Sequence, residues 1–109
     1  MGLSRLENTV LKQFRKDLEQ ALEGKLVELK LFGSKARGND RDDSDVDVLI
    51  VVSTDDWRIS EVIYKISTEV LLDTQVCISP KVVSAKQYDY LREEGSSFIR
   101  SIIRDGVTV

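Results

Sequence analysis

Val48–Val52 is the longest uninterrupted apolar run in the chain, and with Val46 and Asp47 before it the stretch reads VDVLIVV. Its β-branched and aliphatic side chains give it the composition of a buried strand. Side chains alternate along a strand. Asp45 and Asp47 therefore point to one face, and Val46 and Val48 to the other. Two carboxylates side by side at the mouth of a strand repel each other and need a cation. Asp40, Asp42 and Asp43 make the surroundings more negative, opposed by Lys35, Arg37 and Arg41. Mg²⁺ takes oxygen ligands and is often held by one or two carboxylates together with substrate phosphates. Upstream, the small Gly33-Ser34 pair lets backbone N–H groups and a hydroxyl come close to a phosphate. A phosphate cradle followed by a carboxylate pair outlines a site for a magnesium-bound nucleotide.

Read as composition alone, the same residues also describe an ordinary solvated acidic turn, since Gly, Asn, Asp and Ser are common turn formers. The order and spacing separate the two readings. Gly33-Ser34, Gly38, a short loop, then Ser44-Asp45-Val46-Asp47 entering an apolar strand resembles the signature of the DNA polymerase β-like nucleotidyltransferase superfamily. The form is most similar to the small members called minimal nucleotidyltransferases (MNT-type). Two competing motifs fail. Gly33 and Gly38 are spaced like the glycines of a P-loop, but Asn39-Asp40 stand where Lys and Ser or Thr are required. An EF-hand loop started at Asp40 or Asp43 lacks its glycine and its closing glutamate.

The chain contains no histidine, which excludes Ser-His-Asp and Cys-His machinery and any His-ligated zinc. Phosphoryl or nucleotidyl transfer, where positioning and metal contribute most of the catalysis, suits such a composition. The lone Cys77 reads as a small buried hydrophobe rather than a nucleophile. A net charge of −3 with scattered lysines and arginines makes nucleic acid an unexpected partner. No apolar run approaches a membrane span, and MGLSRLENTV has no secretory core, so the expected location is cytoplasmic. A length of 109 residues fits a single minimal nucleotidyltransferase domain over residues 1–109.

Taken in order, residues 4–23 form an amphipathic helix on Leu6, Val10, Phe14, Leu18 and Leu22, ending near Gly24. Residues 26–32 form a half-buried strand that delivers Gly33. A short helix begins at Ser34, its N-terminus adding partial positive charge toward a phosphate. The 46–52 strand follows, then a second amphipathic helix after Ser53-Thr54-Asp55, with Trp57 as a hydrophobic cover near its start. Residues 74–83 read as a third strand in which Pro80 marks an edge or bulge. Ser84 caps a third helix to Glu94, and a last helix runs to Gly106 with Phe98, Ile99, Ile102 and Ile103 facing the core. The expected fold class is α+β: a small mixed β-sheet with helices packed on one side, in agreement with the nucleotidyltransferase fold that the resemblance implies.

The resemblance also implies roles. Gly33 and Ser34 would hold nucleotide phosphates, Ser44 would order the loop or touch phosphate, and Asp45 and Asp47 would bind metal. Arg37 would pair with phosphate or bridge to the acidic loop. The implied reaction is attack of an acceptor hydroxyl on the α-phosphorus of ATP, with two Mg²⁺ ions about 3.5–4 Å apart stabilising the attacking and leaving oxygens. Members of the superfamily usually carry a third carboxylate on the next strand. Here that position aligns with Gln75, and Asp73, two residues earlier, is the candidate catalytic substitute. MNT-type proteins commonly pair with a helical HEPN-type protein in toxin–antitoxin modules, so a protein partner or protein acceptor is expected, with homo-oligomers also possible. The alternative is a catalytically weak nucleotide-binding antitoxin or regulatory subunit that works by contact.

Overall fold

The computed structural model describes residues 2–38 and 45–109. Among the described residues nine elements follow one another: α1 (Arg5–Leu22), β1 (Leu26–Phe32), α2 (Gly33–Arg37), β2 (Val46–Val52), α3 (Arg58–Thr74), β3 (Ile78–Ser84), α4 (Ala85–Glu93), α5 (Ser97–Asp105) and β4 (Val107–Thr108). The four strands form one sheet in the order β3-β2-β1-β4. β1 is antiparallel to both β2 and β4. β3 runs parallel to β2, reached through the α3 crossover that a parallel pair requires. The class is mixed α+β, as expected.

The helices, however, cover both faces of the sheet and not one side. Period-two alternation in β2 divides its side chains between two cores. Val46, Val48, Ile50 and Val52 pack with Phe14, Leu18 and Leu22 of α1 and Ile59 and Ile63 of α3. Leu49 and Val51 pack with Tyr88 of α4 and Ile99 and Ile102 of α5. The second face is what the terminal helices cover, and their short, sparse apolar patterns do not announce it. On α5 only Ile99 and Ile102 are buried, whereas Phe98 and Ile103 are partly exposed.

The helix ends follow their caps. Ser4 and Glu7 form a reciprocal capping box at the start of α1, as do Ser84 and Gln87 at α4. α3 starts later than Ser53-Thr54-Asp55 suggests. Asp56 accepts from the Arg58 N–H, and Trp57, expected as a hydrophobic cover, is 67% exposed. Val27 is also exposed, because a register shift between Leu26 and Glu28 breaks the alternation of β1.

Candidate functional site

The antiparallel pairing of β1 with β2 sets Phe32 directly opposite Asp47. The next residue, Gly33, therefore turns against the Asp47 side chain. Its φ is +76°, a left-handed backbone that L side chains rarely adopt. A Cβ built there would stand 2.5 Å from Asp47 Oδ2. Glycine is thus required both by the turn and by the carboxylate packed over it. α2 then runs from Gly33 to Arg37, so Ser34 lies at its first turn and Gly38 closes it with φ +76°.

Asp45 and Asp47 share a face of β2, the former exposed and the latter half-buried. Burial pushes the Asp47 carboxyl above its ordinary range, the Asp45 charge adds to this, and the Arg37 guanidinium partly offsets both. Arg37 is exposed and close enough to act on Asp47 and also on Asp105. Gly33, Ser34, Arg37, Asp45 and Asp47 are thus gathered at one end of the β1–β2 pair. Ser44 lies outside the described residues.

Asp73 is placed differently. The strand expected to begin at Thr74 begins at Ile78, and Asp73 is exposed in the last turn of α3. Gln75 is the left-handed C-cap of that helix. Strand parity therefore carries neither residue to the aspartates. What the start of β3 brings to them is Cys77, the residue just before the strand, and Ser79 within it. Val46 N–H donates to the Cys77 carbonyl, and Ser79 is in register with Asp47. Cys77 is exposed, contrary to its expected burial. Partial burial, then the charge and hydrogen bond of Asp45, raise its thiol above the ordinary range, which disfavours the reactive thiolate. Replacing Cys77 by Asp is expected to add a third carboxylate and tighten magnesium-dependent nucleotide binding several-fold. Asp73→Ala should leave that binding within about twofold. Isothermal titration of both variants checks the pair.

The charge on Asp47 is a burden in the folded chain without a cation. Its raised pKa means that stability is fully present below the ordinary value of 3.8 and is lost as pH rises through the folded value. Asp47→Asn should therefore stabilise the metal-free protein at pH 7 by about a few tenths of a kcal/mol, after discounting for solvent screening. The gap should close toward pH 3, as read by thermal melts.

Two features escaped the sequence. Phe98 of α5 stacks edge-on against Phe32, ring centroids 5.4 Å apart, and so buttresses the strand end opposite Asp47. Lys35, which by sequence is one of the cations near the acidic loop, is only 1% exposed, with its ammonium 2.9 Å from Glu7 Oε2 of α1. No local pattern separates these from an ordinary aromatic and an ordinary surface lysine.

The donor set fits a hard cation. Two same-face carboxylates beside a close backbone turn are what a magnesium-bound triphosphate needs from a protein. Among the described residues no group of three or more His, Cys, Asp or Glu side chains gathers as a metal site. Residues 11–105 match the nucleotidyltransferase domain family. The chain belongs to that family. It is 36% identical over 101 residues to "Putative protein adenylyltransferase MJ0141" of Methanocaldococcus jannaschii, covering 92% of this chain and 95% of that one. A second relative from the same organism, "Putative protein adenylyltransferase MJ0604", is 30% identical over 100 residues, covering 92% and 94%. The fold is shared with a "putative nucleotidyltransferase from Sulfolobus solfataricus" at TM-score 0.54 and 22% identity, over 92% of this chain and 76% of the other. It is also shared with a toxin–antitoxin structure containing AMP-PNP at TM-score 0.54 and 16% identity, over 89% and 70%. Among the described residues, no helix of this nucleotidyltransferase is long and apolar enough to cross a membrane.

Proposed function

We propose that the chain transfers an adenylyl group from Mg²⁺·ATP to a hydroxyl of a protein acceptor. The observation that carries this reading is the close packing of Gly33 on Asp47, which puts a bare backbone turn and a carboxylate pair at one point. Gly33 and Ser34 hold the terminal phosphates through backbone N–H and hydroxyl, and Arg37 contributes a positive charge beside them. Asp45 and Asp47 hold the metal, which supplies charge neutralisation at the phosphates when bound. In the reaction the acceptor oxygen bonds to the α-phosphorus, and the bond to the β-phosphate oxygen breaks. Pyrophosphate leaves, and the hydroxyl proton passes to solvent. A third carboxylate is not part of this reading, since Cys77 and Ser79 stand there at the start of β3.

The relatives described as protein adenylyltransferases support a protein acceptor. The toxin–antitoxin neighbour supports a protein partner, which for this chain would be a HEPN-type helical protein with the chain as antitoxin. Cys77 and Ser79, which are not carboxylates, favour a second reading, in which the chain binds nucleotide and neutralises its partner by contact with little turnover. Calorimetric titration of Mg²⁺·ATP tests the site. Binding is expected that needs magnesium and weakens at least about tenfold in Asp45→Asn. Magnesium-independent binding, or an unaffected variant, would overturn the assignment. Binding without transfer to a co-purified partner would select the second reading.

A further inference from the structure

Resting on the nucleotidyl-transfer reading, we propose that the groove between β3 and α4 is the acceptor-docking site. Its occupant is an extended, acidic peptide segment of the acceptor protein. The geometry of the sheet gives the direction. β1 and β3 flank β2 on opposite sides. The turn assigned to the terminal phosphates, Gly33-Ser34, lies on the β1 side of Asp47. In phosphoryl and nucleotidyl transfer the attacking and leaving oxygens are roughly in line across the phosphorus. A leaving pyrophosphate on the β1 side therefore requires the acceptor to arrive over β3.

β3 is the sheet's edge on that side, and its register with β2 carries the path onward. Ser79, Lys81 and Val83 face the same way as Asp47, Leu49 and Val51, their register partners. Ser79 is half-buried and Lys81 exposed, so this row is open from the aspartates outward. It leads into a groove of about 540 Å³ lined by Lys81, Val83, Lys86, Gln87, Tyr90 and Leu91 among others. The floor is apolar, and Tyr90 is 61% exposed on its wall. Lys81 to Ser79 is about 6.6 Å along the strand, which an extended peptide crosses in two residues.

Charge and backbone chemistry select the occupant. Lys81 and Lys86 both stand exposed at the groove, and neither joins an ion pair among the described residues. The other cation of α4, Arg92, is already taken by Asp89 and lies over the Tyr88 ring. Acidic side chains are therefore the complement. Continuous strand addition is disfavoured. The Cys77 carbonyl accepts from β2, so by alternation residues 78, 80 and 82 turn their backbone outward, and Pro80 has no N–H to offer there. Recognition must come from side chains in the groove instead of a full backbone ladder.

The test uses the whole chain with magnesium and a non-hydrolysable ATP analogue. The probe is a fluorescein-labelled nonapeptide with one tyrosine flanked by leucines and glutamates; its counterpart carries lysines in place of the glutamates. Fluorescence anisotropy should show saturable binding of the acidic peptide only. The double charge reversal Lys81→Glu with Lys86→Glu should weaken it at least tenfold and permit the lysine peptide. Tyr90→Ala should weaken the acidic peptide without changing the charge preference. Calorimetric Mg²⁺·ATP affinity should stay within twofold in all three proteins. Failure of the acidic peptide to bind, or binding indifferent to charge reversal, overturns the proposal. A tenfold loss of nucleotide affinity in the charge-reversed protein overturns it too, assigning the groove to the nucleotide. Absence of nucleotide binding in the wild type would instead fail the underlying reading.

Discussion

Gly33→Ala should abolish most of the nucleotide-dependent chemistry while leaving a folded protein. The methyl group meets two obstacles at once. At φ +76° it sits in the left-handed region, costing roughly 1–2 kcal/mol for a residue other than glycine. It also falls 2.5 Å from Asp47 Oδ2, so the carboxylate has to move or β1 has to shift against β2. Either movement separates the turn at Gly33 from the Asp45–Asp47 pair, to which the proposed reading assigns phosphate and metal, and displacements of about 1 Å at such a site cost on the order of a hundredfold in rate. Magnesium-dependent nucleotide affinity and adenylyl transfer are both expected to fall by about two orders of magnitude or more. The thermal midpoint should drop only by several degrees, in line with the backbone cost. A Gly33→Ala protein that binds Mg²⁺·ATP like the wild type would mean that this turn does not serve the nucleotide.

Lys35→Met should destabilise the fold by more than Gly33→Ala does. The lysine is almost wholly buried, and its ammonium lies against both oxygens of Glu7, at 3.1 and 2.9 Å. Glu7 is also the capping-box residue that accepts from the Ser4 N–H, so one carboxylate ties α2 to the start of α1. Removing one partner leaves the other desolvated without its compensating charge, which costs about 3 kcal/mol in such settings. For a domain of this size that corresponds to a fall in the thermal midpoint on the order of 10–20 °C. The pH dependence gives an independent check. Burial alone would raise the Glu7 carboxyl, but the Ser4 hydrogen bond and the hydrogen bond and charge of Lys35 outweigh it and hold it below 4.5. A depressed carboxylate contributes stability above its unfolded value that is lost as pH falls through the folded one. The wild type should therefore lose stability below about pH 4.5 more steeply than Lys35→Met, in urea melts at a series of pH values. Parallel curves would show that the pair adds nothing. The consequence for function is indirect: α2 holds Ser34 and Arg37, and its anchor is this pair.

Much of the candidate site is written within a short span of chain. Gly33, Ser34, Arg37, Asp45 and Asp47 lie within fifteen residues of one another, and a single antiparallel pair brings them together. Local rules suffice for that: alternation places both aspartates on one face, and the strand bounds 26–32 and 46–52 read from apolar pattern match the structure. The capping residue Ser84 was legible for the same reason, because a cap is satisfied by groups three residues away.

What lay beyond local pattern was decided by packing. TQVCIS has β-forming residues, yet Asp73 and Thr74 complete α3 and the strand waits until Ile78, because the crossover must come back level with Val46 before it can pair. That delay replaces the expected carboxylate with Cys77 and Ser79. Lys35 reads as a surface cation until α1 crosses α2 and supplies Glu7 from 28 residues away. Tertiary structure likewise divided the apolar residues of β2 between two cores and set helices on both faces. The sequence by itself determined the glycine turn at Gly33, the aspartate pair and the strands that carry them, since these depend on neighbours along the chain. Only the fold decided what stands on the far side of Asp47, because a parallel strand sets its register through a crossover helix and not through adjacent residues.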